Sequence, residues 1–261
     1  AALILIGLPS LALGASTSMP MILAICLVRG LGFGMIFVIG SSLVAWFVPT
    51  ERHSEALGLY GIVVGIPAVL GLPLGVWLAT HVGYNSVFVT GAIVAMAALL
   101  AIPGLPPRDA TLTPPIGFLS GVRTQRLVRP ATVFAVTAMA AGVVVTFLPL
   151  VVTQGAGNVA ASALLVQAVT MTVMRGWAGR QGARSGNATM LIAAVIMTSA
   201  GIFVLAASSN TTVVLVAMAL FGAGFGVAQN ASLALMFKGV SNVHYDAVSA
   251  LWNAAYDTGL G

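Results

Sequence analysis

Five residues stand out for the chemistry they could perform in an otherwise apolar chain: Arg29, Gln229, Asn230, Asn253 and Asp257. Arg29 lies in the apolar run 20–48, ~14 Å along a helix that starts near Pro20. An arginine at that depth in a bilayer costs ~2.5–3.5 kcal/mol on insertion scales, so it is expected to face a cavity or a partner rather than lipid. Among the acids, Glu51, Glu55, Asp109 and Asp246 fall in connections or at helix ends, whereas Asp257 lies ~16 Å beyond Asp246 along its helix. Asp246, Asn253 and Asp257 recur at intervals of 7 and 4 and share one helix face, with Ser249 nearby. Such a polar stripe is expected to turn inward. Burial and a neighbouring cation push a carboxyl's protonation in opposite directions, and that competition makes Asp257 a candidate proton carrier. In the run 213–237, Gln229 is placed where it could line a cavity edge, and Asn230 where it would bond a neighbouring helix.

The elements that must position these residues follow from composition. Of 261 residues, 59% are apolar and 6% charged, against about one quarter charged in a soluble domain. An all-α integral membrane protein is the class that remains. Spanning runs of ~20 apolar residues fall at 20–48, 57–80, 86–106, 130–152, 159–177, 188–207 and 213–237, with incomplete ones at 1–15 and 246–261. We therefore expect seven complete spans and two partial ones, in a chain cut within a helix at each end. Cys26, the one cysteine, is expected to be a buried small hydrophobe.

Charge supplies the orientation. Arg52, then Arg108, Arg123, Arg126 and Arg129, then Arg175, Arg180 and Arg184, then Lys238 occupy alternate connections, leaving Arg29 as the only other basic residue. Basic residues gather in cytoplasmic loops, so the long connection 107–129 is expected to be cytoplasmic. The net charge of +5 is thereby a matter of topology, with no basic stripe for nucleic acid. Glu51, Arg52, His53 and Glu55 read as a solvated turn, and the three histidines lack metal-ligand spacing. No nucleophile elbow, phosphate loop or catalytic carboxylate pair is visible. The reading excludes an enzyme and requires no cofactor and no metal.

Gly30-Leu31-Gly32-Phe33-Gly34 returns as Gly222-Ala223-Gly224-Phe225-Gly226, 192 residues later and six helices on. Both strings lie inside apolar runs rather than between a strand and a helix, which excludes a dinucleotide loop. Small residues there let helices approach closely. A parallel six-helix repeat with a long central loop is the layout of two transporter halves.

With these residues the chain resembles the major facilitator superfamily, and in particular its proton-coupled efflux branch, from about family helix 3 into family helix 11. Arg29 with Gly30, Gly32 and Gly34 is similar to the arginine–glycine motif of family helix 4. Gly61, Gly65, Pro67, Gly71, Pro73 and Gly75 are similar to the glycine–proline antiporter motif of family helix 5. Gly179, Arg180, Arg184 and Gly186 look like the loop motif after family helix 8. The resemblance implies two pseudo-symmetric helix bundles around a central cavity: family helices 3–6 in 1–106, the central loop in 107–129, and family helices 7–11 in 130–261. It implies a multi-pass monomer in the cell membrane that exports a small molecule or drug in exchange for protons by alternating access. An uptake permease for a sugar or metabolite on the same fold, or a non-transporting membrane sensor or scaffold, are the alternatives the residues leave open.

Overall fold

The computed structural model describes residues 1–15, 18–104, 125–152, 159–207, 210–241 and 244–261, excluding side chains at 68, 72, 73, 76 and 150–152. Residues 107–124 of the central loop, with Arg108, Asp109 and Arg123, and the connection 153–158 lie outside the described residues, as does the side chain of Pro73. The described chain is helical: α1 (Ala2–Leu13), α2 (Met19–Phe47), α3 (His53–His81), α4 (Tyr84–Ala97), α5 (Gln125–Val152), α6 (Val159–Ser185), α7 (Asn187–Ala207), α8 (Thr211–Lys238) and α9 (Tyr245–Leu260). Short 3-10 turns precede α3 and follow α4. Seven helices are long and apolar enough to cross a membrane, α4 when taken with the 3-10 turn that follows it (Tyr84–Gly104), and α1 is a shorter apolar helix. In hydrocarbon every backbone N–H and C=O must be paired within the segment, so runs rich in β-branched residues are helical nonetheless. Their side chains face outward in large numbers: Leu27 is 71% exposed and Phe203 75%. Such a surface suits lipid tails and not water. Cys26 belongs to that surface; it is exposed, contrary to the expectation from its apolar neighbours.

The chain divides into two compact units, residues 1–40 with 70–113 and residues 41–69 with 114–261. The division passes through α2 and α3 instead of following chain order. Its cause is local to the second unit, where the ends of these helices nearest the 49–52 turn pack on the later helices. The Ser41 and Ser249 hydroxyls meet there, and Ser54 reaches Asn187 and Asn230.

In the first unit α1 packs on α4 and α2. A Cβ on Gly32 would lie 2.7 Å from the Ala2 carbonyl oxygen and 3.0 Å from Ile6 Cγ1. In the second unit α8 is the central helix, with Phe221, Phe225, Ala228, Ala231 and Ala234 all buried. There a Cβ on Gly224 would lie 2.8 Å from the Ala194 carbonyl oxygen and 2.6 Å from the Thr198 amide nitrogen of α7. Adding 192 to Gly32, Ala2 and Ile6 gives Gly224, Ala194 and Thr198. At Gly32 and Gly224 the sequence repeat is thus also a repeat of contacts.

The ends of α8 show how sequence sets helix limits. Asn210 Oδ1 accepts the Thr212 and Val213 amides at 2.9 and 3.4 Å, satisfying donors that open every helix. Replacing Asn210 with alanine is expected to lower stability by ~1 kcal/mol, read as a lower melting temperature of the purified protein. An unchanged melting temperature would show that neighbouring contacts hold this end.

Candidate functional site

The second unit contains a seam between α3 and α6 built on small residues. Ser54, Gly58, Gly61 and Gly65 lie on one face of α3, opposite Thr172, Arg175, Gly179 and Gly182 of α6. A Cβ on Gly58 would sit 2.9 Å from Gly179 Cα, and one on Gly65 2.5 Å from Thr172 Oγ1. Absence of side chains lets the two backbones touch. The seam also corrects the expected limits of α6. Helix continues to Ser185, and Gly186, with φ of 84°, makes the turn into α7. Gly179 is therefore a packing residue within a helix rather than part of a loop, while Arg180 and Arg184 are exposed along its last turns.

At Gly61 the space left by the missing side chain is filled by the guanidinium of Arg175. Arg175 is 9% exposed, and its Nε has no hydrogen-bond partner among the described residues. Tyr60 and Tyr256 are the titratable groups that act on it electrostatically. Charge counting places Arg175 with Arg180 and Arg184 in the connection after α6; the structure places it inside the helix. The helical period held the signal that it belongs elsewhere: Arg175, Gly179 and Gly182 follow one another at i, i+4 and i+7.

Gln229 and Asn230, adjacent on α8, have different surroundings. Asn230 is 1% exposed, donates from Nδ2 to the Ser54 carbonyl at 3.1 Å, and shares the Ser54 hydroxyl at 3.3 Å with Asn187 at 2.9 Å. It ties α8 to α3. Gln229 is equally buried, but Nε2 meets only the Met171 sulfur at 3.7 Å and Oε1 has no partner among the described residues. Flipping the amide exchanges its two ends and still leaves one without a strong partner. Beside it the aromatic rings of α5, α8 and α9 stack: Phe134 lies 4.5 Å from Trp252, 6.1 Å from Phe225 and 5.8 Å from Tyr256.

The polar stripe expected on α9 does not come together. Ser249 is fully buried against Ser41, Asn253 is half-buried and donates to the Ser249 carbonyl at 2.8 Å, and Asp257 is exposed. The face of α9 that turns into the unit is Tyr245, Val248, Ser249 and Trp252, because its apolar area outweighs the carboxylates. His53, expected in a solvated turn, is likewise buried: Nε2 lies 2.9 Å from the Val48 carbonyl, and the ring packs edge-on to Tyr245 and Phe237. Glu51, Arg52 and Glu55 around it are exposed. In the first unit Arg29 is half-buried on α2, and its Nε has no partner among the described residues. Around Gly30, Gly34, Gly71 and Gly75 no described atom lies within 4 Å of an added Cβ, and Pro67 is exposed. Packing in the glycine–proline stretch is thus confined to Gly61 and Gly65. In α8, Gly222 and Gly226 pack on the α6 backbone at Gln167 and Met171, and Gly224 on α7.

The sequence profile of the Major Facilitator Superfamily matches residues 1–261. The chain belongs to the major facilitator superfamily. Across all of its length it is similar to the human organic anion transporter MFSD10, with a TM-score of 0.82 at 14% identity, over 68% of that chain. Local sequence likeness reaches two bacterial proteins. An uncharacterised MFS-type transporter of Bacillus subtilis, YfiU, is 43% identical over 79 residues, which is 30% of this chain and 15% of that protein. A probable sugar efflux transporter of Pasteurella multocida is 31% identical over 80 residues, 29% of this chain and 20% of that one. These alignments span well under two thirds of the relatives they match.

As a member of this superfamily the chain is a multi-pass membrane protein. Membership also gives the buried polar groups a context. In lipid, an uncompensated guanidinium or amide is retained only where a cavity or a ligand compensates it. Arg29, His53, Arg175 and Gln229 are the described residues with a buried side-chain polar atom that lacks a hydrogen-bond partner; His53 opens α3, whereas the other three lie well inside their helices.

Proposed function

We propose that this chain forms the greater part of a secondary exporter that moves a small molecule out of the cell in exchange for protons. The observation that supports it most is the contact repeat, Gly32 on Ala2 and Ile6 against Gly224 on Ala194 and Thr198. Two halves built alike and inserted in the same direction can rock about a shared site, which is alternating access. In this reading 1–106 belongs to the amino-terminal bundle and 130–261 to the carboxy-terminal one, with the loop expected over 107–129 between them on the cytoplasmic side, although its last residues, with Arg126 and Arg129, are helical and open α5. Export is favoured over uptake by the description of the Pasteurella relative as an efflux transporter. The test is solute movement in everted membrane vesicles carrying the full-length protein. Acidifying the interior is expected to drive accumulation that a protonophore abolishes. Accumulation in right-side-out vesicles instead would make it an uptake permease.

Asp257 is the coupling group in this proposal. It is exposed ~18 Å along α9 from Tyr245, at a depth where a carboxylate must face water or a polar neighbour. Asp257→Asn is expected to stop proton-driven accumulation while energy-independent exchange of the same solute continues. Proton-driven transport at the original rate would assign the coupling acid to another residue.

Topology is checked separately. In a Cys26→Ala background, Ile116→Cys is expected to stay unlabelled by an impermeant maleimide added outside intact cells and to react after permeabilisation. Labelling from outside would invert the orientation.

A further inference from the structure

Four helices of the second unit bring a compact polar group to one depth. Counted from the helix ends that carry Arg180, Lys238, His53 and Tyr245, Arg175 lies 10 residues in from Ser185, Gln229 9 from Lys238, Tyr60 7 from His53 and Tyr256 11 from Tyr245. At 1.5 Å per residue these distances are all ~10–17 Å. The lateral contacts agree. Arg175 stands over Gly61, the neighbour of Tyr60. Gln229 touches Met171, one helical turn from Arg175 on α6, and Tyr256 stacks on Phe225, one turn from Gln229 on α8.

Two features of this group are unbalanced. Arg175 presents a buried Nε without an acceptor, and Gln229 a buried Oε1 without a donor. No carboxylate is paired with Arg175 among the described residues; the carboxylate nearest the group in sequence, Asp257, is exposed. Leaving a charged donor and an amide acceptor both unsatisfied is costly, and one occupant could relieve both. It would bring a negative charge to the fork of Arg175, a hydrogen-bond donor to Gln229, and a flat apolar body for the rings of Phe225, Trp252 and Tyr256.

We propose that Arg175 and Gln229, flanked by Tyr60 and Tyr256, form the binding site for a small organic anion with an aromatic body. This deepens the transporter reading above by naming a substrate class, and it rests on that reading. The guanidinium binds the carboxylate or sulfonate through its planar fork, the glutamine accepts from a hydroxyl or amine of the ligand, and the missing side chain at Gly61 gives the guanidinium its place against α3. Gly61 on α3 and Arg175 on α6 also place the anion on the seam, so an occupant bears on how closely these two helices approach.

The test is equilibrium binding to the purified full-length protein, with 4-hydroxybenzoate as probe and 4-hydroxybenzamide as its neutral match. The anion is expected to bind at least about 10-fold tighter than the amide, the discrimination expected of a charged contact. Gln229→Glu, which adds a negative charge to the same buried group, is expected to weaken the anion by at least about 10-fold and remove the preference for charge. Arg175→Lys keeps the charge but not the fork and should weaken it severalfold. Lys238→Gln, at the exposed end of α8, should leave binding unchanged. A residue that only held helices together would not alter selectivity between anion and amide. Should the Arg175 variant fail to fold, Gln229→Glu decides. Equal binding of anion and amide by the native protein, or undiminished anion binding in folded Gln229→Glu, would overturn the proposal. Counterflow of the probe in vesicles separates the two readings. Selective binding without movement of any solute removes the transporter reading and leaves the site, whereas transport of other solutes without anion selectivity removes the site alone.

Discussion

Arg29→Ala is expected to abolish transport while the protein still inserts and folds. The two halves of that result have one cause. An arginine inside a spanning helix carries an insertion cost of ~2.5–3.5 kcal/mol, so its removal is neutral or favourable for the helix. Arg29 nevertheless stands half-buried on α2 with Nε unsatisfied among the described residues, the state of a donor awaiting a ligand or a moving partner. Losing a desolvated charge contact is worth ~2–5 kcal/mol, which corresponds to a fall in transport of about 1.5 to 3.5 orders of magnitude. Arg29→Lys should recover little, since a point charge does not reproduce a planar fork. Vesicle transport rates and the amount of folded membrane protein check the two halves independently. Transport by Arg29→Ala at the native rate would make the residue a topological accident.

The second large effect is a reversal of sign within one glycine string. Gly32→Ala and Gly224→Ala are expected to destabilise, because the new methyl would meet backbone at 2.7 Å (Ala2 carbonyl) and 2.6 Å (Thr198 amide). Backbone cannot step aside as a side-chain tip can, so the cost should reach the upper part of the ~1–3 kcal/mol range for overpacking, or beyond it. Gly30→Ala and Gly34→Ala meet no described atom within 4 Å. They should instead gain the ~1 kcal/mol by which alanine exceeds glycine in a helix. Thermal unfolding of the four variants reads the comparison directly. Stabilisation by Gly224→Ala would mean that α7 and α8 do not approach as described. Opposite behaviour of Gly32→Ala and Gly224→Ala would mean that the contact repeat is coincidental.

Much of this architecture was legible in the sequence because a bilayer leaves few choices. With 6% charged residues and long apolar runs, backbone pairing in hydrocarbon allows only helices, and their length follows from the thickness to be crossed. The seven spans and two shorter helices lie along the runs that hydropathy marked, with α5 starting earlier and α6 ending later than those runs. The glycine strings 192 residues apart announced the repeat, since a glycine that admits a neighbouring backbone cannot be exchanged without separating the helices. What hydropathy could not determine was which face of each helix turns inward. In a membrane both faces are apolar, so the period that separates core from surface in a soluble protein fades. For that reason Cys26 proved exposed, Asp257 stayed outside the buried face of α9, and His53 went into the packing between α3, α8 and α9. For the same reason Arg175, counted by charge as part of a connection, proved to be a buried residue. Only tertiary structure decided this, because its place depends on the absence of a side chain at Gly61, on a different helix 114 residues earlier in the chain. No local pattern around Arg175 encodes that absence. The helices were determined by what a bilayer permits along one segment; the site was determined by which small residues on one helix make room for a large one on another.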